Sequence, residues 1–143
     1  MIDKKENVVL LLLDLSAAFD TINHNLLLKK LRSVYGISGK AIQWIESYLS
    51  GRTFKVCVNR VSSTECFLEI GVPQGSILGP LLFILYTKDL ELIVTKYGFS
   101  IHLYADDTQV YFSFDVHSIN PEMSKVKACF QEIKNWMGVN YLK

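Results

Sequence analysis

HLYADDTQVYF, from His102 to Phe112, sets two adjacent aspartates, Asp106 and Asp107, between two runs of strand-favouring residues. Ile101, Leu103 and Tyr104 come before them, and Val110, Tyr111 and Phe112 come after. The stretch reads as a β-hairpin with both carboxylates at its tip. Adjacent carboxylates repel each other and cost free energy to desolvate. Two accounts fit. Asp is a good turn residue, and a solvated pair at a turn is ordinary. Alternatively both face a hard cation such as magnesium, which takes oxygen ligands and often sits between carboxylates and substrate phosphates. Taken alone, Ala105 to Thr108 reads better as the solvated turn.

A cation site needs further oxygens, and Asp14 is the candidate. It closes the apolar run Val8 to Leu13, which reads as a strand buried on both faces. A charge there is costly unless it is paired or metal-bound. A strand-end turn or helix cap is an equally good account of Asp14 alone. Asp20, just before a helix, suits a capping or structural role better than a ligand role. A third piece is Gly71-Val72-Pro73-Gln74-Gly75-Ser76, a turn-rich loop before a helix. Its glycines permit close backbone approach, and the helix start offers N–H groups to an anion. An ordinary strand-to-helix turn has the same composition.

Working outward, Thr21-Ile22-Asn23 caps a helix that runs to about Tyr35, with Leu27, Leu31 and Val34 on one face and Gly36 as its stop. Ser38 caps a second helix carrying Ile42, Ile45 and Leu49, ended by Gly51. Phe54 to Val58 and Glu65 to Ile70 alternate across a polar turn, Asn59 to Thr64, and predict a hairpin. One long helix is expected from Ile77 to Lys96, with Pro80 in its first turn and Gly98 as its stop. A final helix, capped by Asn120 and opened by Pro121, carries Met123, Val126, Phe130, Ile133 and Met137 at spacings of three and four. The mixture of hairpins and helices predicts an α+β fold, an antiparallel sheet with helices packed on one face.

At 143 residues the chain suffices for one domain, taken as residues 1–143. Half of it is hydrophobic and 20% is charged, which excludes a disordered chain. The net charge of +1 is low for a protein that grips nucleic acid. The three cysteines, Cys57, Cys66 and Cys129, lack metal spacing and suit a reducing compartment. Cys57 and Cys66 are candidates to face each other across the first hairpin. No signal peptide is legible, and no apolar run reaches the roughly 20 residues of a membrane span. An intracellular, non-membrane protein of the nucleus or cytoplasm is expected. His24 and His102 read as packing or hydrogen-bonding residues, His117 as loop, and Trp44 and Trp136 as core or domain-interface residues.

Leu13-Asp14-Leu15-Ser16-Ala17-Ala18-Phe19-Asp20, Gly71 to Phe83, and Tyr104-Ala105-Asp106-Asp107 together resemble three successive motifs of reverse transcriptases. Thr21-Ile22-Asn23-His24 and the stretch Tyr104 to Gln109 look like the non-LTR, LINE-type branch, close to jockey-like elements. The resemblance covers about Val8 to Lys143. It implies the palm subdomain of a right-hand polymerase, here a partial domain with fingers and thumb largely missing. Their absence would account for the low net charge. In that family Asp14, Asp106 and Asp107 are the catalytic residues and hold two magnesium ions, with manganese as a substitute and the Leu15 carbonyl as a further ligand. The resemblance further implies that Phe19 packs under the incoming sugar, that Gln74 and Gly75 touch nucleotide and template, and that Tyr104 lies near the primer end. RNA template, DNA primer and dNTP are the implied partners. On residue type alone, Phe19 and Tyr104 read better as core. Two readings follow: a polymerase core that needs the missing parts for activity, or a non-catalytic retroelement relic or co-opted interaction module. A two-metal nuclease would explain the carboxylates but not the Pro-Gln-Gly loop. Surfaces that should meet fingers and thumb predict self-association of the isolated chain.

Overall fold

The computed structural model describes residues 7–15, 17–73, 75–104, 107–114 and 119–142. Its organising element is a three-stranded antiparallel sheet. β1 (Asn7–Asp14) pairs with β7 (Asp107–Phe114), which pairs in turn with β6 (Ser100–Tyr104), in the order β1-β7-β6. β7 alternates cleanly, with Thr108, Val110 and Phe112 buried and Asp107, Gln109 and Ser113 exposed. The period of two of a strand therefore gives the sheet one covered and one open face.

Helices α4 (Asp89–Lys96) and α5 (Ile119–Val139) cover the inner face. Leu90 and Val94 from α4, Val126, Cys129 and Ile133 from α5, and Phe99, Val110 and Phe112 from the sheet make one core. Phe99 and Phe112 stack in it at 4.5 Å between ring centroids. A second core joins α1 (His24–Ser33), α2 (Gly39–Leu49) and α3 (Leu78–Thr87) through Leu27, Leu31, Leu49, Leu82, Phe83 and Tyr86. Trp136 and Met137 near the end of α5 pack against both.

Four expectations need correction. β1 is not buried on both faces. Six of its eight residues are Val or Leu, yet none is buried; Leu12 is 70% exposed. It is an edge strand, and its even-numbered side chains stand on the open face.

The stretch 77–96 is not one helix. It breaks at Lys88 between α3 and α4. Lys30, reaching in from α1, meets the chain on both sides of the break. Its ammonium donates to the Tyr86 carbonyl at 2.7 Å and pairs with Asp89 at 2.8 Å, over the rings of Tyr86 and Trp136.

The first hairpin is two short ladders rather than two long strands. β2 (Thr53–Phe54) pairs with β5 (Cys66–Phe67), and β3 (Cys57–Val58) pairs with β4 (Val61–Ser62). The reversal is a tight turn at Asn59 and Arg60, both at positive φ (51° and 68°), as a two-residue hairpin loop requires. This register also overturns the fourth expectation: Cys57 faces Ser62 and Cys66 faces Phe54, so the two cysteines do not meet. Both are exposed free thiols.

Other local readings hold. Asn23 caps α1, its side chain accepting from the Leu26 amide at 3.0 Å. Ser38 occupies the cap position of α2 without making the side-chain bond. α5 begins at Ile119, so Pro121 falls in its first turn, and the capping role read for Asn120 lies outside the described side chains. His117 lies outside the described residues. Among the described residues no helix is long and apolar enough to cross a membrane.

Candidate active site

The register of the sheet brings three sequence-predicted residues together. Asp14, last in β1, stands directly opposite Asp107, first in β7; on the other side Asp107 stands opposite Tyr104, last in β6. Cross-strand partners share a face. All three are exposed on the open one, Tyr104 by 74%, which removes the core-packing account of that ring. Asp106 falls between β6 and β7 in the sequence and lies outside the described residues.

Among the described residues neither Asp14 nor Asp107 has a side-chain hydrogen bond or ion pair. Two like charges facing each other across a strand pair oppose folding unless a cation lies between them. Their donor set, hard carboxylate oxygens open to solvent, fits magnesium or manganese. No group of three or more His, Cys, Asp or Glu side chains converges among the described residues, so the described carboxylates supply two ligands and no more.

The chain leaves β1 through Leu15, whose buried side chain enters the helical core and anchors the strand end. Ala17 adopts the left-handed region (φ 52°), and a 3-10 turn, Ala18–Asp20, follows. Phe19 packs on Phe83 of α3, with ring centroids 5.1 Å apart, and remains half-buried. It is thus a core contact with one side left open. Asp20 is exposed in the same turn.

The 71–76 loop is bound to this segment by three hydrogen bonds. Gly71 N–H donates to the Ile22 carbonyl at 2.7 Å, and Val72 N–H donates to the Phe19 carbonyl at 2.8 Å. His24 Nε2 lies 2.6 Å from the Gly71 carbonyl. A carbonyl only accepts, so Nε2 bears the hydrogen. Gly71 has φ +85°, and a Cβ there would lie 2.9 Å from both Asp20 Cα and Phe19 O. Glycine is required at this point by conformation and by contact. Gly75 also has positive φ (+77°) but faces open space, while Gln74 lies outside the described residues. At the start of α3 the Ser76 hydroxyl accepts from the Gly79 amide at 3.0 Å, and Pro80 has no N–H, so the chain itself takes up part of the anion-binding capacity expected there.

A cleft of about 760 Å³ opens between this loop and the first hairpin, walled by Asp20, Arg52, Phe54, Phe67, Glu69, Val72 and Pro73. Asp14 and Asp107 are not among its walls. His102 is exposed on the open face opposite Gln109. Trp44 is 59% exposed and stacks on Tyr48, so of the two tryptophans only Trp136 enters the core.

Sequence reasoning gave His24 a hydrogen-bonding role but not its partner, and it missed Lys30. The link from His24 to Gly71 joins positions 47 apart, and no local pattern marks it. Lys30 carried a signal: it lies three residues from Leu27 and next to Leu31, on the apolar side of its helix, where a lysine must find a partner.

Comparison with known proteins bears on this geometry. The family model described as "Reverse transcriptase (RNA-dependent DNA polymerase)" matches residues 1–143. The chain is 38% identical over 114 residues to an RNA-directed DNA polymerase from mobile element jockey of Drosophila funebris, covering 76% of this chain and 12% of that protein. It is 40% identical over 110 residues to a probable RNA-directed DNA polymerase from transposon X-element of Drosophila melanogaster, covering 76% and 12%. A probable RNA-directed DNA polymerase from transposon BS of the same fly is 36% identical over 88 residues, covering 62% and 10%. The chain thus spans about an eighth of the length of the first of these relatives.

Proposed function

Because the chain belongs to the reverse transcriptase (RNA-dependent DNA polymerase) family, of the non-LTR, LINE-type kind, we propose that it is the palm core of an RNA-directed DNA polymerase. Asp14, Asp106 and Asp107 are its catalytic carboxylates. The observation that carries the reading is the register that opposes Asp14 to Asp107 at one sheet end, on an open face and without a counter-charge among the described residues. Two magnesium ions held by these carboxylates and the Leu15 carbonyl would activate a primer 3′-hydroxyl and offset the charge of a triphosphate and its leaving pyrophosphate.

The chain's own residues orient the substrates. Phe19, held on Phe83, presents its open side to the incoming sugar, where a 2′-hydroxyl would clash. Gln74 and Gly75 lie beside the nucleotide and template, and Gly75 leaves room for them. Tyr104, next to Asp107 across the hairpin, meets the primer end. RNA template, DNA primer and dNTP are the partners, and the chain works inside the cell. Residues 1–143 form one partial domain whose activity depends on fingers and thumb supplied in a longer polypeptide, and the open apolar face makes the isolated chain self-associate.

The second reading is a non-catalytic retroelement relic or interaction module, favoured by a net charge of only +1, low for a chain that grips nucleic acid. Primer extension on poly-A with oligo-dT, dTTP and magnesium separates the two readings. The chain is run alone and within a polypeptide supplying fingers and thumb, each beside Asp106→Asn, Asp107→Asn. Extension in the longer context that the double variant lacks supports the polymerase; no extension in either context, from folded protein, supports the relic.

A further inference from the structure

We propose that His24 is a positioning residue, whose Nε2–H, donated to the Gly71 carbonyl at 2.6 Å, holds the segment carrying Phe19 in register with the 71–76 loop. Ala18, Ile22 and Val72 seat both segments in the helical core, and the hydrogen bonds between the segments set their register. Phe19 lies in a three-residue 3-10 turn that follows a left-handed Ala17, and the loop has positive φ at both Gly71 and Gly75. Neither belongs to a strand or a long helix. Across the seam run two backbone bonds, Gly71 N–H to the Ile22 carbonyl and Val72 N–H to the Phe19 carbonyl. Among the described residues the imidazole is the one side chain that bonds across it, and it comes from the first turn of α1, whose backbone is fixed by the Asn23 cap. His24 therefore ties both segments to a rigid element. The Gly71 carbonyl it holds belongs to the same residue whose amide reaches Ile22, so turning that peptide away would loosen the seam as a whole. Resting on the polymerase reading, the consequence is specificity: the gap between the Phe19 ring and the loop decides whether a 2′-hydroxyl is tolerated, and His24 sets that gap.

The test compares the parent chain with His24→Gln, which keeps a nitrogen donor near the Nε2 position, and His24→Phe, which keeps the bulk and loses the donor. Amide hydrogen exchange at Gly71 and Val72 should quicken about tenfold in the Phe variant and stay near parental in the Gln variant, with Leu90 and Val110 unchanged in both. Unchanged exchange in the Phe variant, or equal rises in both, overturns the proposal. Should the Phe variant fail to fold, nitrogen NMR of the parent still decides, since a hydrogen on Nδ1 with a bare Nε2 also overturns it. Where primer extension is active, discrimination of dTTP over UTP should fall about tenfold in the Phe variant and be restored in the Gln variant. A discrimination ratio that stays put overturns the positioning role. A parent that extends neither alone nor within a polypeptide supplying fingers and thumb counts against the polymerase reading, while the exchange data still decide the role of His24 in the seam.

Discussion

Asp14 and Asp107 are direct cross-strand partners on the open face of the sheet, two like charges with no described cation beside them. Such a pair opposes folding, and a site built for a dication accepts that cost. Asp107→Asn should therefore raise Tm by about 1–3 °C while abolishing primer extension. Millimolar magnesium should raise the Tm of the parent and leave the variant unmoved. Equal shifts in both would sink the cation reading.

Gly71→Ala introduces a Cβ 2.9 Å from two backbone atoms at a residue of φ +85°. Neither neighbour is the end of a flexible side chain, so the loop must withdraw. A loss of about 1–3 kcal/mol is expected in urea melts. A neutral result would mean that the seam is not as tight as these distances require.

Lys30 is 8% exposed and serves the Tyr86 carbonyl and Asp89 together. Lys30→Met keeps most of the volume and removes both partners. About 2–3 kcal/mol should be lost, read as a lower denaturation midpoint with an unchanged m-value. A variant as stable as the parent would show that the α3–α4 break needs no ammonium.

The α4–α5 contact should respond to pH at both ends. Hydrogen bonds from Lys96 and Tyr97 hold the Glu132 carboxyl below its ordinary 4.5. A depressed carboxyl contributes stability that is present above 4.5 and lost as pH falls through the lower folded value. The bond to Glu132 raises Lys96 above 10.5 and Tyr97 above 10.0. Their contribution is complete below those values and disappears as pH rises past them. Melting curves across pH 3–7 should show a shallower acid decline in Glu132→Gln; parallel declines would remove this contact from the acid response.

β1 presents Val8, Leu10 and Leu12 on the open face of an edge strand without a lysine, a proline or a bulge among its residues. Leu10→Lys with Leu12→Lys should reduce self-association in sedimentation experiments and leave the Tm nearly unchanged. If association persists, it runs through another surface, with the exposed hairpin next in order.

Much of this was legible in the sequence, for identifiable reasons. The hairpin around Asp106 and Asp107 alternates with period two, and that period also dictates which residues share a face, so Asp107, Asp14 and Tyr104 could be brought together from spacing and resemblance alone. The Asn23 cap of α1 and the glycines that follow α1 and α2 are local chemistry and read correctly, while Ser38 takes the cap position of α2 without its bond. What failed was non-local. Val8 to Leu13 is apolar enough for a central strand, but edge or centre is decided by pairing, which composition does not encode. The contacts on either side of the break at Lys88 come from Lys30, far back in the sequence. The bond between His24 and Gly71 has no local signature. Phe19 bears out the core contact weighed for it, through Phe83, and stays half-buried.

The first hairpin, from Thr53 to Phe67, sends no side chain into either hydrophobic core and touches the rest of the described chain chiefly at its base. Mutations there escape the packing constraint that polices α3 or β7. The hairpin is therefore where lineages carrying this fold are free to diverge in length and composition, and where a foreign segment could be grafted at little cost to the cores.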